Sequence, residues 1–226
     1  MQIKYGIIGG SGRMGQEIES LLEESGHKCV LKYDILGEWK SGNPDVMIDF
    51  SLPQAFNNTI GYVKKYGIPL IIGTTGLTGE QLDTLIALSM DLPVVQSYNF
   101  SVGIQMLLKC TEMLKENLPD WDIEISETHH RFKKDKPSGT AIMIKNLIGK
   151  DVNISSLRLG NVPGDHSVSF GGLGEVIKIT HSATSRRTFS EGVLKSILFI
   201  MDKKNGLYSF KDVLFSNKRN RWTRMK

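Results

Sequence analysis

In the first hundred residues, short apolar runs alternate with longer segments whose apolar positions recur at helical spacing. The runs predict buried strands at residues 3–8, 29–33, 46–50, 69–72 and 93–96. Between them, helices are predicted over residues 13–25, up to about Gly67, and after the capping-box pattern of Thr78 and Gln81. Strands that alternate with helices indicate right-handed crossovers, and hence a parallel sheet.

The pattern changes after a long predicted helix at residues 101–117. Residues 122–128 alternate polar and apolar side chains, which is typical of a half-exposed antiparallel strand. Further strands are predicted at residues 155–160, 167–170 and 175–181, and helices at residues 140–148 and 189–202. We therefore expect an open mixed sheet with helices on one face. The uncovered face predicts a homo-oligomer built through that sheet.

The composition is that of an ordinary globular protein, with 40% hydrophobic and 23% charged residues in a chain of 226. A formal net charge of +4 is too small by itself to indicate nucleic-acid binding, and it fits anionic small ligands equally well. Cys29 and Cys110 lack CxxC spacing, so neither a disulfide framework nor a metal site is expected. Without a secretory signal or a run of ~20 apolar residues, we expect a cytoplasmic protein with no membrane span.

A glycine-rich turn joins the first predicted strand to the first helix. Gly10, Gly12 and Gly15 match the G-x-G-x-x-G spacing, in which a Cβ would block the approach of a pyrophosphate to the backbone. The start of the helix presents its positive end to such phosphates. Asp34 ends the second strand 19 residues after Gly15, close to the usual place of an acid that binds the ribose 2′-hydroxyl. The motif predicts dinucleotide binding; a structural turn with a surface aspartate is the alternative.

Asp34 also bears on the choice of cofactor. A carboxylate favours the free 2′-hydroxyl of NAD and repels the 2′-phosphate of NADP. The next residue is Ile35 rather than an arginine, although Lys32 and Lys40 are available to help bind NADPH. We predict that NADH is preferred and that NADPH is tolerated.

Loops at the carboxyl ends of parallel strands line the ligand crevice of such sheets. This rule places three loops beside the cofactor, namely Asp49-Phe50-Ser51, Gly73-Thr74-Thr75 and Tyr98-Asn99-Phe100. Glycine and threonine allow close approach and offer hydroxyl donors, and the Asn99 amide suits a ribose or a carboxamide. Ordinary loop and cap chemistry is the alternative for each loop.

Residues 127–140 combine two adjacent histidines with a run of cations. If Ile123 and Ile125 face the core, His129 continues on their side of the strand and His130 points the other way. The two histidines should therefore have different roles. Lys133 follows in a loop, and further positive potential comes from Arg131, Lys134 and Lys136.

The same segment ends in a turn suited to opening a helix. Pro137 shapes the turn, and Ser138 can cap a helix that begins at Gly139-Thr140. The N–H groups of Gly139 and Thr140 then form a seat for a carboxylate. The alternatives are a hydrogen-bonded structural histidine, a solvated lysine loop and a plain helix cap. A zinc site is not expected, because adjacent histidines splay apart and neither cysteine is near.

Taken together, the motifs resemble those of the dihydrodipicolinate reductase family, of the diaminopimelate route to lysine. The residues that carry the resemblance span nearly the whole chain. In the first half they are Gly9-Gly-Ser-Gly-Arg-Met-Gly15, Gly73-Thr-Thr-Gly76 and Asn99-Phe-Ser-Val-Gly103. In the second half they are Glu127-Thr-His-His with Lys133, Asp135 and Pro137-Ser-Gly-Thr-Ala141, then His166, Phe170, Gly174-Glu175, His181, Arg186 and Phe189, and finally Gly206-Leu-Tyr with Asp212-Val-Leu214.

The resemblance implies an α/β protein, with a Rossmann-like parallel-sheet domain and an α+β domain with an open mixed sheet. It implies a dinucleotide-binding domain of residues 1–100 and 206–226, and a substrate-binding and oligomerisation domain of residues 101–205 that forms a tetramer. Hinges are then expected near Phe100 and Gly206, because the domains must close for reaction. The implied reaction is the reduction of a cyclic imine dicarboxylate by NADH or NADPH.

The resemblance also implies roles for individual residues. His129 is implied as proton donor and acceptor, and Lys133 as a second proton donor. Substrate carboxylates are implied to bind His130, Ser138, Gly139 and Thr140. Cofactor contacts are implied for Gly9, Gly10, Ser11, Gly12, Arg13, Met14, Asp34, Gly73, Thr74, Thr75, Ser97, Tyr98, Asn99 and Phe100.

Two departures from the family pattern concern the cofactor side. Ile35 stands where forms that use NADPH commonly have an arginine, and Ser97-Tyr98 stands where smaller residues are common. The chain resembles the short forms of the family, with compact loops expected at residues 37–43. These departures bear on the choice of cofactor and not on the reaction.

Two other functions are compatible with parts of the sequence. One is another two-domain amino-acid dehydrogenase with a different substrate loop. The other is an NADH-sensing regulator that uses the basic tail, residues 218–226, on DNA, although such a tail is also typical of a solvated terminus. A regulator would need no proton-transfer pair, and residues 129–140 supply one.

Overall fold

A computed structural model describes residues 2–149 and 151–216 of the chain. It divides into two compact units: residues up to Phe100 together with those from Phe189 onward, and Ser101–Thr188. The first unit thus resumes at Phe189, whereas we predicted a boundary at residue 206. The basic tail at residues 218–226 lies outside the described residues.

The elements of the first hundred residues follow the predicted alternation. They are β1 Lys4–Ile8, α1 Arg13–Glu24, β2 Lys28–Asp34, β3 Gly37–Lys40, β4 Val46–Asp49, a 3-10 turn at Pro53–Ala55, α2 Phe56–Tyr66, β5 Leu70–Ile72, α3 Gly79–Leu88 and β6 Pro93–Gln96. The remaining elements are α4 Val102–Asn117, β7 Asp122–His129, α5 Gly139–Ile148, β8 Asn153–Arg158, β9 Asp165–Gly171, β10 Val176–Ser182, α6 Arg187–Ile200, β11 Gly206–Tyr208 and α7 Phe210–Phe215.

The first unit is built on a seven-stranded sheet with the order β11-β6-β5-β4-β1-β2-β3. Its strands pair in parallel except for β3, which pairs antiparallel with β2. The predicted parallel sheet is confirmed. The compact loop expected at residues 37–43 is wrong in part, because β3 forms there. Asp34 accepts a hydrogen bond from the Leu36 backbone and Gly37 has a φ of +110°, and together they reverse the chain into this hairpin.

Both faces of this sheet are buried, as parallel sheets require. Tyr5 and Ile7 point to one face, where α6 and α7 add Ile197, Ile200 and Phe210. The alternate residues point to the other face, where Ile8, Leu31 and Met47 pack with the residues of α2 and α3, namely Phe56, Ile60, Val63, Leu85 and Leu88. The two layers of helices hold the strand ends, and therefore the loops that follow them, in fixed positions.

Close packing between the glycine turn and α1 predicts a strong effect of one methyl group. A Cβ at Gly15 would lie 2.2 Å from the Gly9 carbonyl oxygen, inside any permitted contact. We expect Gly15→Ala to lower the free energy of unfolding by about 3 kcal/mol. The matched variant is Gly61→Ala in α2, where an added Cβ meets nothing within 4 Å. It should instead stabilise the protein by about 0.5–1 kcal/mol. Urea unfolding that gave the two variants equal stability would contradict this account.

The second unit has a four-stranded mixed sheet with the order β10-β9-β7-β8. Strands β7 and β8 are parallel, and the other two pairs are antiparallel, so the predicted open mixed sheet is confirmed. Ile125 and Phe170 on one face pack with Leu107 of α4 and Ile144 of α5. Strands β8 and β9 each begin two residues earlier than predicted, at Asn153 and Asp165.

Side chains alternate along these strands, so the opposite face carries the other residues of each strand. Short polar side chains dominate it, and Ser167 and Thr180 share a hydrogen bond of 2.9 Å between their hydroxyls. Across the described part of the chain, no helix combines the length and apolar character needed to span a bilayer.

Candidate active site

The glycine turn between β1 and α1 leaves backbone donors free at the start of the helix. Gly9 has a φ of +83°, a left-handed conformation that favours glycine, and its carbonyl accepts a hydrogen bond from Gly12 N at 3.1 Å. Gly12 caps α1 without a side-chain hydrogen bond, and the first turn of α1 contains no acidic residue. An anion such as a phosphate is therefore favoured at this helix start.

A cavity of about 430 Å³ opens beside this turn. Its wall includes Gly9, Ser11, Gly12 and Asp34, four of the predicted cofactor contacts, together with Phe50 and Ser51 from the loop after β4. Sequence reasoning did not single out the remaining wall residues as contacts, and these are Ile8, Tyr33, Ile35, Leu52, Gln54, Ala55 and Asn58. Several follow the carboxyl end of β4, so the strand-end rule could have found them if it had been extended past Ser51. The mixture of apolar and hydrogen-bonding groups fits a nucleoside.

Asp34 presents an anionic carboxylate at the cavity wall. Its Oδ2 accepts a hydrogen bond from Ser11 N at 3.0 Å, and its Oδ1 accepts one from Leu36 N at 2.8 Å. Burial raises the pKa of this carboxyl, but these backbone donors outweigh burial, and the pKa is lowered from its usual value. A carboxylate in this place can accept hydrogen bonds from ribose hydroxyls. The uncapped helix, the glycine turn and Asp34 thus fit a dinucleotide.

Buried Asp49 ties the neighbouring strand ends together. Its carboxylate accepts hydrogen bonds from the Thr74 and Thr59 hydroxyls, each at 2.7 Å, and from Ser51 N at 3.0 Å. The Thr74 hydroxyl is therefore committed to Asp49, and its backbone is the part available to a ligand. Gly73 N also donates to the Asp49 carbonyl at 2.8 Å, which fixes the loop after β5 beside the loop after β4.

The loop after β6 is held by its own side chains. The Ser97 hydroxyl donates to the Asn99 carbonyl at 2.8 Å and accepts from Asn99 N at 3.2 Å. The Phe100 ring packs between the rings of Phe50 and Phe210, with both centroid distances at 5.3 Å, so it belongs to the core. Among the described residues, the cavity wall does not include the remaining predicted cofactor contacts, and these are Gly10, Arg13, Met14, Gly73, Thr74, Thr75, Ser97, Tyr98, Asn99 and Phe100.

In the second unit, His129 belongs to a buried hydrogen-bonded array. His129 Nδ1 bonds to Glu127 Oε2, two residues earlier on the same face of β7. Arg158 on β8 binds both oxygens of Glu127, with two N–O distances of 2.9 Å. Ser138 N donates to Glu127 Oε1 at 3.3 Å. The alternating burial of Ile125, Glu127 and His129 confirms that His129 continues on the side of the core.

The charges in this array define the state of His129. Burial raises the pKa of Glu127, but hydrogen bonds from Arg158, Ser156 and His129 outweigh it and bring the pKa to about 2. Burial also lowers the pKa of His129; Glu127 opposes that shift, and Lys133 and Arg158 add to it. At neutral pH, Glu127 is therefore a carboxylate and His129 a neutral imidazole with its proton on Nδ1.

The other ring nitrogen of His129 is the one available for proton transfer. A neutral imidazole with a proton on Nδ1 has a free lone pair on Nε2. A Cβ at position 164 would lie 3.0 Å from this nitrogen, so Gly164 leaves room beside it. The arrangement can accept a proton at Nε2 and hold the resulting imidazolium against Glu127.

Lys133 and His130 lie in the turn that follows β7. Lys133 N donates to the His130 carbonyl at 3.1 Å, which closes the turn. The Lys133 ammonium pairs with Asp135 at 2.8 Å and is partly exposed, so it can also meet a ligand. His130 is buried directly beyond the last residue of the strand.

Ser138 caps α5 as predicted. Its hydroxyl accepts a hydrogen bond from Ala141 N at 3.2 Å and lies 3.1 Å from His166 Nε2. Gly139 and Thr140 begin the helix, so their N–H groups lie in its first turn. The Ser138 cap and the bond from Ser138 N to Glu127 place this helix start next to the array around His129.

Sequence reasoning gave no role to Glu127, Arg158 or His166. The His166 ring stands edge-on to the His129 ring, with centroids 5.0 Å apart. Burial, followed by the proximity of His129, lowers the pKa of His166 to about 3. Only the strand register reveals these partners, since β9 places His166 opposite Glu127 and β8 places Arg158 opposite His129.

Comparison with known proteins identifies close relatives of the chain. The family profile described as "Dihydrodipicolinate reductase, N-terminus" matches residues 3–100, and the profile "Dihydrodipicolinate reductase, C-terminus" matches residues 103–214. The 4-hydroxy-tetrahydrodipicolinate reductase of Thermosipho africanus is 47% identical over 212 residues, which cover 94% of this chain and 98% of that protein. The enzyme of the same name from Methanocaldococcus jannaschii is 33% identical over 270 residues, which cover 95% of this chain and 98% of that protein.

Solved structures give the same result for the fold. Dipicolinate-bound dihydrodipicolinate reductase from Paenisporosarcina sp. TG-14 matches with a TM-score of 0.74 at 25% identity, and 94% of this chain and 99% of that chain are covered. Aspartate dehydrogenase from Thermotoga maritima matches with a TM-score of 0.54 at 12% identity, with 88% and 96% covered. The second likeness shows a shared fold and nothing more.

Proposed function

The chain belongs to the dihydrodipicolinate reductase family, and we propose that it reduces a cyclic dicarboxylate imine to tetrahydrodipicolinate with NADH or NADPH. This is the 4-hydroxy-tetrahydrodipicolinate reductase reaction of lysine and diaminopimelate biosynthesis. The observation that carries the proposal is the buried array of Glu127, Arg158 and His129 beside the capped start of α5. It unites a proton-transfer group and a carboxylate seat in a chain that also has a dinucleotide cavity.

Each unit contributes a separate part of the chemistry. When bound, the reduced nicotinamide supplies a hydride to an electron-poor ring carbon of the substrate. The glycine turn at Gly9 to Gly12 would bind its pyrophosphate and Asp34 its ribose. Further contacts to the cofactor are proposed for Gly73 to Thr75 after β5 and for Ser97 to Phe100 after β6, as the family pattern indicates. The chain's own task in the reaction is to supply the proton and to hold the diacid.

Proton transfer is assigned to His129 and Lys133. His129 Nε2 can take up a proton from water, with Glu127 stabilising the imidazolium, and can pass that proton to the substrate as the hydride arrives. The Lys133 ammonium is a donor group, so it can give a proton to the ring atom next to the reduced carbon. Because Lys133 is partly exposed, it can be reprotonated from water.

Recognition of the two carboxylates is assigned to the turn and the helix start. The N–H groups of Gly139 and Thr140 and the Ser138 hydroxyl lie at the positive end of α5, where a carboxylate is favoured. His130 adds a further hydrogen-bond donor in the turn after β7. The dipicolinate in the relative's structure is a planar diacid, and we propose that this chain binds the same compound.

The NADH preference is proposed on the basis of Asp34 and Ile35. Ile35 is 94% exposed at the cavity wall, so an arginine there can reach a 2′-phosphate without disturbing the fold. We expect Ile35→Arg to shift the ratio of kcat/KM for NADPH over NADH by about tenfold towards NADPH. Leu36→Arg is the matched control, because Leu36 is 83% exposed and lies outside the cavity wall among the described residues. A wild-type protein that strongly prefers NADPH would contradict the proposal.

A homo-oligomer, a tetramer by family likeness, is proposed to form through the polar face of the second sheet. The mixed sheet with α4 and α5 packed on its other face supports this assignment. Light scattering should then give a particle of four times the chain mass of 25.2 kDa. We also propose a cytoplasmic location.

A substrate panel tests the proposed reaction against its rivals. The condensation product of pyruvate and aspartate semialdehyde should cause rapid loss of NADH absorbance, whereas amino acids and simple oxoacids should not. Turnover of an amino acid with NAD, and none of the cyclic substrate, would favour an amino-acid dehydrogenase. Deletion of residues 218–226 distinguishes the reductase from a DNA-binding regulator. A reductase should keep its turnover after the deletion, whereas a regulator should lose its affinity for DNA.

A further inference from the structure

The Ser138 hydroxyl has two neighbours and one hydrogen to place. A hydroxyl oxygen has two lone pairs and one donor hydrogen. One lone pair accepts from Ala141 N at 3.2 Å, which is the helix cap. The second neighbour is His166 Nε2 at 3.1 Å. The direction of the hydroxyl hydrogen therefore depends on whether His166 donates or accepts.

The surroundings of His166 decide this question. His166 is 3% exposed, and its Nδ1 finds no hydrogen-bond partner within residues 2–149 and 151–216. A proton on Nδ1 would therefore be a buried donor without an acceptor, which is rarer in proteins than an acceptor without a donor. The neutral ring accordingly carries its proton on Nε2 and donates it to Ser138 Oγ. Both lone pairs of the hydroxyl are then used.

Strand pairing fixes both contacts of Ser138 at once. His166 on β9 lies opposite Glu127 on β7. Glu127 Oε1 accepts from Ser138 N at 3.3 Å, while His166 reaches Ser138 Oγ. Ser138 is thus held at its backbone by one partner and at its side chain by the other, with its hydroxyl hydrogen left to donate elsewhere.

We propose that His166 is a positioning residue that makes the Ser138 hydroxyl a hydrogen-bond donor to a substrate carboxylate. The proposal rests on the proposed function, since it needs a carboxylate at the start of α5. His166 itself touches no substrate in this account. Without the N–H of His166, the Ser138 hydroxyl would be free to turn its hydrogen inward. Its oxygen would then present a lone pair to the substrate carboxylate.

Two matched variants test the proposal through binding of dipicolinate to the NADH-loaded protein. Asparagine at position 166 places its amide near Nδ1 and cannot reach Ser138, whereas glutamine places an N–H near Nε2. We expect His166→Asn to weaken dipicolinate binding about tenfold, as loss of a hydrogen bond to a charged group should, and His166→Gln to recover most of the affinity. The KM for the cyclic substrate should rise in His166→Asn more than kcat falls.

A double-mutant cycle with Ser138→Ala separates this role from a purely structural one. In the Ser138→Ala background, His166→Asn should add little further loss of dipicolinate affinity, because its partner is already gone. Equal losses in the asparagine and glutamine variants, or a full additional loss in the double variant, would overturn the proposal. If the wild-type protein bound no dipicolinate, the proposed function itself would fail, and this inference with it. That failure would be visible before any variant is compared.

Discussion

Replacing His129 with glutamine should lower kcat by about 100-fold or more, the usual contribution of a positioned acid–base group. Glutamine can fill the space and places its amide near the position of Nε2, but that amide cannot take up and release a proton there. The dissociation constant for NADH should stay nearly unchanged, since the proposed cofactor contacts belong to the other compact unit. Stopped-flow turnover and fluorescence titration with NADH measure the two quantities separately.

Lys133 offers a second test of the same chemistry with a neighbouring control. Lys133→Ala removes the proposed proton donor and should lower kcat on a similar scale. Lys134→Ala removes an adjacent charge that is exposed, and it should have a much smaller effect. Weakened NADH binding in His129→Gln and Lys133→Ala, with unchanged turnover per bound cofactor, would contradict the assigned roles.

Replacing Arg158 with methionine should lower the free energy of unfolding by about 3 to 5 kcal/mol, because the buried Glu127 carboxylate would lose its counter-charge. Glu127 is 1% exposed, so water cannot take the place of the guanidinium. Adding Glu127→Gln to Arg158→Met should restore part of the stability, since the uncompensated charge is then gone. Loss of the exposed Lys145–Asp151 pair, by Lys145→Met, should have hardly any effect. Equal effects of Arg158→Met and Lys145→Met would refute this account of the array.

The same array predicts how stability depends on pH. Glu127 has a folded-state pKa of about 2 against an ordinary value of 4.5, so the folded state holds its carboxylate more strongly in the charged form. Its contribution, about 3 kcal/mol, is present above about pH 4.5 and is lost as the pH falls towards 2. Urea unfolding between pH 6 and pH 3 should show this loss in the wild type. The free energy of unfolding should depend less steeply on pH in Glu127→Gln.

The sequence was most informative where one local pattern determines the structure. Five apolar runs and the turn around Gly9 to Gly15 predicted the parallel sheet and its helix start, because periodicity and glycine geometry are local. Strand β3 was missed because Ile35 and Leu36 form its hairpin loop, and neither is a typical turn residue. The carboxylate of Asp34 and the φ of Gly37 provide the reversal instead.

The partners of the proposed proton-transfer group could not be predicted in the same way. His129 stood out as one of two adjacent histidines, but Arg158 and His166 are isolated residues on other strands. They meet Glu127 and His129 only through the register of β7 with β8 and β9. Register between strands that are distant in sequence depends on tertiary packing, and residue patterns along one strand do not contain it. The ring of Phe100 lies in the core, and the cofactor contact that its loop position indicates stays a prediction.

Deuterium transfer from labelled NADH tests the central claim most directly. The wild-type protein is mixed with the condensation product of pyruvate and aspartate semialdehyde and with NADH deuterated at C4 of the nicotinamide on the transferred side. If the chain is the proposed reductase, mass spectrometry should find one deuterium on a ring carbon of the tetrahydrodipicolinate, in step with the loss of NADH absorbance. Unlabelled product, or an unreacted substrate in the presence of bound NADH, would contradict the account.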